Sequence, residues 1–178
     1  MSPFEIRLLQ AEDAPAYRDL MLHAYQTHPE AFTSSAAERA VEPMSWWSSR
    51  IGGPASAQRV FGAFVDGALQ GVAGLRFETG EKVRHKATLF GMAVRPEHRG
   101  RGLARALVQA VLASAQDEPM ALLVQLTVSE GNAAAEGLYA ACGFVRFGVE
   151  PFAMRHGAGF VAKVHMWRPV RPLGASQP

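Results

Sequence analysis

The residues with the clearest chemical capacity are Arg99-Gly100-Arg101-Gly102-Leu103-Ala104, set between the apolar run 87–94 and the amphipathic run 103–115. A strand that empties into glycines and arginines and then into a helix builds a cradle for phosphates. Glycines let backbone approach a ligand closely, the first helical turn offers unpaired N–H groups and a positive dipole end, and arginines add charge. An anionic cofactor is the leading expectation. The spacing excludes two common phosphate readers: Gly100-Arg101-Gly102-Leu103-Ala104-Arg105 lacks the third glycine of a dinucleotide fingerprint, and no Gly-x-x-x-x-Gly-Lys-Ser/Thr occurs.

Farther along, Asn132 and Tyr139 stand nearly two helical turns apart, so one helix face can present both. Asn132 suits either helix capping or a hydrogen bond to a ligand, and Tyr139 is either a core aromatic or a proton donor. The single cysteine, Cys142, reads as a small packing residue with no His placed beside it. His23, His28, His85, His98, His156 and His165 show no compact ligand spacing, so no metal is expected.

Strands and helices alternate around these groups. Residues 4–9 read as a strand and 11–27 as a helix with Ala14, Tyr17, Leu20, Met21 and Ala24 at helical spacing. Ser35-Ala36-Ala37-Glu38 is a capping box that can start a second helix running toward Ile51, ended by Gly52-Gly53-Pro54. Asp66-Gly67 between 60–65 and 68–77 predicts a tight hairpin. The strand 87–94 should stop before Pro96, then comes the helix 103–115 and the near-continuously apolar strand 121–128. A helix over 132–141 closes on Gly143 as a left-handed cap, and strands at 144–150 and 160–167 follow, joined by 155–159.

Composition sets the context. The chain has 178 residues, 48% of them apolar, which suits one domain with a sizeable core. Eighteen Lys and Arg against sixteen Asp and Glu leave a net charge of only +2, too little for a nucleic-acid surface. The first residues lack a basic-then-apolar leader pattern and no apolar stretch approaches a membrane span, so the expectation is a cytoplasmic protein with no membrane partner. One cysteine agrees with a reducing compartment.

Taken together, the segment Met92-Ala93-Val94-Arg95-Pro96-Glu97-His98, the Arg99 to Ala104 loop and the run Asn132 to Phe144 resemble the GNAT superfamily of acyl-CoA-dependent N-acyltransferases. The resemblance covers roughly residues 4–167. It implies an α/β fold with a mixed, mainly antiparallel central sheet flanked by helices, its central strands splayed to form an acyl-CoA cleft. It implies one N-acetyltransferase domain over 1–168 and acetyl-CoA as cosubstrate, while Pro169, Pro172 and the Gly174 to Pro178 ending make 169–178 read as a flexible tail. Met92 and Val94 would then offer main-chain groups to the pantetheine arm. Arg99, Gly100, Arg101, Gly102, Leu103 and Ala104 would hold the diphosphate, with Asn132 beside the arm. Tyr139 would protonate the departing thiolate.

The expected chemistry is direct transfer of an acetyl group to an amine, which must first lose a proton. Some members of the superfamily carry a glutamate in the middle of the strand before the phosphate loop. This chain has Ala87-Thr88-Leu89-Phe90-Gly91 there, so Glu78 and His85 become the candidate bases, followed by Glu81. Tyr25, Phe32, Trp46 or Trp47 could line an acceptor pocket, and Glu30, Glu38 or Glu42 could attract a cationic amine. Phe152 and Arg155 could reach it from the far side. A small metabolite, amino acid analogue or toxic amine is the expected acceptor. A peptide or protein amino terminus is the alternative, and a noncatalytic acyl-CoA sensor is the competing class. The resemblance and the apolar final strand also allow a homodimer.

Overall fold

The computed structural model describes residues 4–53 and 55–173. Seven strands form one sheet in the order β1-β2-β3-β4-β5-β7-β6: β1 (Glu5–Leu8), β2 (Gln58–Val65), β3 (Ala68–Phe77), β4 (Lys86–Val94), β5 (Leu123–Ser129), β6 (Val145–His156) and β7 (Gly159–Pro169). Every neighbouring pair is antiparallel except β4 with β5. That parallel pair needs a crossover, which is the helix α4 (Leu103–Asp117). The mixed, mainly antiparallel fold anticipated above is the fold observed.

Alternation along the strands fills both faces of the sheet. Ala73, Leu75, Phe77, Ala87, Leu89, Val124, Leu126 and Val128 meet Leu103, Leu107, Val108 and Val111 of α4 and the Tyr139 side of α5 (Ala133–Ala141). On the opposite face, Val60, Phe64, Leu69 and Val72 meet Tyr17, Leu20 and Met21 of α1 (Ala14–Thr27) and Trp47 and Ile51 of α3 (Met44–Ile51). Burying such side chains, at about 25 cal/mol per Å² of apolar surface, makes these two layers the main stabilising term. α1 and α3 lie over β2, β3 and β4, and the same face of β5 is met by the 3-10 turn Pro29–Ala31.

Local chemistry explains the boundaries. Asp66 and Gly67 both take positive φ, 50° and 77°, as the two-residue hairpin demands. Gly143 is left-handed at φ 86° behind α5. The helix expected from Ser35 to Ile51 is two helices. Ser35 does cap α2 (Ala36–Ala40), with Glu38 reaching back to its backbone, but Pro43 forces an extended residue before α3 starts. The first turn expected in α1 is a 3-10 turn at Ala11–Asp13, because Pro15 sets the start of the α-helix at Ala14.

Two further differences lie at the carboxyl end. β6 continues through Pro151 to His156, carried by register shifts and by Phe152 at φ 53°. The apolar last strand is interior, and β6 is the edge that exposes Val145, Phe147 and Val149. Of the proposed tail, Pro169 ends β7, Val170 is buried and donates its N–H to the Leu122 carbonyl; residues 174–178 lie outside the described residues, as does Pro54 of the loop after α3.

Candidate active site

β4 and β5 pair only at Lys86–Leu123, Ala87–Val124 and Thr88–Gln125. Beyond Thr88 the strands part, leaving the later edges of β4 and β5 facing one another without a ladder. The parting begins where β4 bulges: its register against β3 slips between the Val72 and Gly74 pairings, and Gly91 takes φ 60°. The slip turns Met92 and Val94 toward the α4 layer and Ala93 toward α1. Phe90, just before the bulge, lies back over Gly74; a Cβ on that glycine would sit 2.4 Å from the ring.

The parting opens a cleft of about 960 Å³ lined by Met92 to Pro96, by Arg99, Gly100 and Gly102 to Arg105, by Ser129 to Asn132, and by Ala134, Ala135 and Leu138 of α5. At the phosphate loop Gly100 and Gly102 have φ of 71° and 87°, and a Cβ on either would meet nothing within 4 Å. No hydrogen bond among the described residues uses the backbone N–H groups from Gly100 to Arg105, which converge at the start of α4. A helix start with open backbone donors fits a diphosphate, and the long ladder-free gap fits an extended amide-bearing arm. Asn132 lines the cleft while its side-chain oxygen accepts from the Ala135 N–H at 3.1 Å, so the cap and a ligand-facing amide are compatible.

The two arginines separate. Arg99 lines the cleft, its Nη2 2.7 Å from His28 Nε2, and His28 Nδ1 is 3.5 Å from Glu30. Arg101, expected to hold phosphate, instead turns its Nη1 to His98 Nδ1 at 3.0 Å and does not line the cleft. The residues between α1 and α2 form a roof. Lys163, 5% exposed, donates to the Ala31 carbonyl at 3.2 Å and to Ser129 Oγ at 2.8 Å, and Ser129 Oγ donates to the Glu30 carbonyl. Burial pulls the Lys163 ammonium below its ordinary pKa, partly offset by Glu150. His23, Thr27, His28 and Phe32 on the roof side, and His156 and Val161 from the last hairpin, complete the lining.

Tyr139 is 5% exposed and packs edge-on to Phe144, ring centroids 5.9 Å apart; it stands behind the cleft lining, which its neighbours Leu138 and Ala135 supply. Its hydroxyl has no hydrogen-bond partner among the described residues, and burial pushes the phenol well above its ordinary pKa. Cys142 is a buried free thiol, raised by the same cause.

The candidate bases fall elsewhere. Phe77 pairs with Ala87, and the Glu78 N–H donates to the Lys86 carbonyl, which places Glu78 and His85 at the closed beginning of β4. At about 3.3 Å per residue, His85 is roughly 23 Å along the strand from Met92. Neither lines the cleft, and Glu78 faces Arg76 at 4.0 Å. Glu81 is exposed in the same connection. Of the acceptor-side residues, Trp47 is core at 1% exposure, Glu38 is engaged in its cap and Glu42 pairs with Arg39. Trp46 lies between the Arg39 and Arg50 guanidinium groups, 4.8 and 4.9 Å from its centroid, so this flank is cationic and aromatic. Phe152 and Arg155 pack on Phe160 at the far hairpin.

Among the described residues, no group of three His, Cys, Asp or Glu could hold a metal, and no helix is long and apolar enough to cross a membrane.

Comparison with known proteins agrees with this geometry. A search of curated proteins finds no match. The structure resembles a GCN5-related N-acetyltransferase from Kribbella flavida, with 26% identity, TM-score 0.79, and coverage of 94% of this chain and 98% of the other. It resembles yncA, a putative acetyltransferase from Salmonella typhimurium with its cofactor acetyl-CoA, at 19% identity, TM-score 0.78 and 98% coverage of each. It also resembles the ribosomal-protein-S18-alanine N-acetyltransferase of Escherichia coli, at 22% identity, TM-score 0.71, covering 98% and 99%. The model of the acetyltransferase (GNAT) family matches residues 18–144, spanning the bulge, the phosphate loop and α5. The chain therefore belongs to the GNAT family and is an acyl-CoA-dependent N-acetyltransferase whose cosubstrate is acetyl-CoA.

Proposed function

We propose that the chain acetylates the amine of a small molecule, such as an amino acid analogue or toxic amine, in the cytoplasm. The observation that carries this reading is the roof: the segment from His28 to Phe32 is held across the cleft by Lys163 and Ser129, while His156 and Val161 approach from the last hairpin. A peptide needs an open groove with free strand edges, whereas a roofed cleft suits a compact acceptor.

In this reading the backbone from Gly100 to Ala104 and the Arg99 guanidinium hold the diphosphate, and Met92, Val94 and Asn132 hold the pantetheine arm. Tyr139 serves the leaving sulfur. With its acidity suppressed by burial, the phenol keeps its proton, and complete transfer to a thiolate of ordinary basicity is uphill. Its role is therefore to donate a hydrogen bond to the sulfur as negative charge develops there, which lowers the barrier without a finished proton transfer.

The test is free-CoA release from acetyl-CoA with a panel of amines, amino acids and tripeptides, read together with product masses. Acetylated small amines with unmodified tripeptides are the expected result. Preferential acetylation of tripeptide amino termini would overturn the acceptor class. Acetyl-CoA binding without acceptor-dependent release would favour a sensor.

A further inference from the structure

The face of β5, β7 and β6 opposite α4 and α5 carries an ionisable pair outside the cleft lining. Cross-strand partners share a face, and Thr127 pairs with His165 while Ser129 pairs with Lys163 and Glu150 with Lys163. Their alternates, Leu126, Val128, Val164 and Met166, are buried under α4 and α5. Thr127, His165, Lys163 and Glu150 therefore stand together on the face opposite α4 and α5, beside the cleft lining rather than in it; Ser129, the partner of Lys163, is the member of this row that lines the cleft. Thr127 is on the unpaired stretch of β5 that borders the gap, and His165 is its immediate neighbour.

His165 Nε2 lies 3.2 Å from Glu150 Oε2, and the Phe147 ring packs edge-on at 5.7 Å. A carboxylate at one imidazole nitrogen fixes the proton there, which leaves Nδ1 with its lone pair free. Among the described residues nothing hydrogen-bonds Nδ1. The other charged groups on or bordering this face are already engaged or cannot accept a proton. Lys163 donates to Ser129 and Ala31, and Arg50 and Arg76 stack across β4 on Phe90. β4 itself presents Thr88 and Phe90 on this face, with no carboxylate.

We propose that His165, oriented by Glu150, is the proton acceptor for the incoming amine, directly or through one water. This rests on the acetyl transfer to a small amine proposed above. The ammonium gives one proton to Nδ1. The freed nitrogen lone pair then forms the N–C bond to the acetyl carbon, and the C–S bond breaks with its electrons leaving on sulfur. As the product amide forms, nitrogen loses its second surplus proton to water or to the sulfur, and the imidazolium returns its own to solvent.

The experiment compares wild type, His165→Gln and Glu150→Gln with acetyl-CoA and two nucleophiles: ethanolamine, protonated near neutral pH, and hydroxylamine, largely neutral there. The expected result is a loss of about 100-fold in kcat/KM for ethanolamine with His165→Gln, and about tenfold with Glu150→Gln. Hydroxylamine should change by less than about threefold, since its nitrogen needs no base to become nucleophilic. The acidic limb of the ethanolamine pH profile should move to higher pH in His165→Gln, toward the ionisation of the amine itself. Acetyl-CoA affinity, measured by calorimetry, controls for folding, and Glu150→Gln carries the test should His165→Gln lose it. Equal losses for both nucleophiles, or none, would overturn the dyad. So would a wild type that acetylates hydroxylamine alone, which would leave acetyl transfer intact. A wild type that acetylates neither probe nor any amine of the panel would overturn the dyad and the proposed function together.

Discussion

Where β4 runs into α4, the cleft offers main-chain N–H groups and two glycines with open space at Cβ; toward β5, β7 and β6, the sheet offers side chains beside the His28 to Phe32 roof. The first region suits an invariant chemical group, a diphosphate on an amide-rich arm, because it offers atoms that every residue possesses. The second, proposed here to take the amine, presents the side chains of Thr127, His165 and Glu150 beside a roof tied down by Lys163. A backbone-built site tolerates many side chains but few changes of conformation. A site built from side chains has the reverse sensitivity.

Replacing Gly102 with valine tests that contrast most severely. The space for a side chain exists, but a β-branched residue at φ 87° is strained, and the loop must move its donors. Acetyl-CoA affinity should fall about 100-fold, seen by calorimetry, which equals roughly 2.8 kcal/mol. An unchanged affinity would mean that the backbone conformation is not what binds. Next in size, Tyr139→Phe should lower kcat about 20-fold while leaving acetyl-CoA affinity within about twofold. Equal losses in both would reassign Tyr139 to the packing of α5.

Arg99→Gln should weaken acetyl-CoA by about fivefold at low salt, and the difference should shrink as ionic strength rises. A salt-independent loss would place the effect in the contact with His28 instead. For the other region, Lys163→Met should loosen the roof and raise the acceptor KM about threefold with the acetyl-CoA KM unchanged, measured by varying both substrates.

The smallest effect provides a reference outside both regions. Asp13 accepts two hydrogen bonds from Arg7, at 2.7 and 2.9 Å, which holds its carboxyl below the ordinary value. A depressed folded-state pKa stabilises the protein above the unfolded carboxylate range and ceases to do so as pH falls through the folded value. Asp13→Asn should therefore lower the melting temperature by about 3 °C at pH 7, for a loss near 1 kcal/mol after allowing for the exposure of Arg7. The gap should close as the pH is taken below the ordinary 3.8 of the carboxyl, and neither KM should move.

The same contrast governs what the sequence disclosed. Arg99-Gly100-Arg101-Gly102 is legible because a turn that presents backbone must be written in glycine, and the hairpin at Asp66-Gly67 is legible for the same reason. Capping at Ser35 and Asn132 follows from local hydrogen bonding. Glu78 and His85 misled because closeness in sequence to β4 says nothing about which end of the strand opens. That depends on where β5 stops pairing, a long-range property. Gly91 was the one local sign of the bulge, yet an isolated glycine in a strand has several readings. The pairing of His165 with Glu150 depends on the β6 register, and the bulged run from Glu150 to Met154 hides that register from any count along the chain.

Phe90 nestles over Gly74, so a residue on β3 with no atom in the cleft lining fixes where that ring sits beside the bulge. An alanine at position 74 would meet ring carbons at 2.4 to 2.6 Å and evict the phenyl group from its recess. The seat of that ring is in this sense stored as a missing methyl group on the next strand, where a comparison of cleft residues alone would not find it.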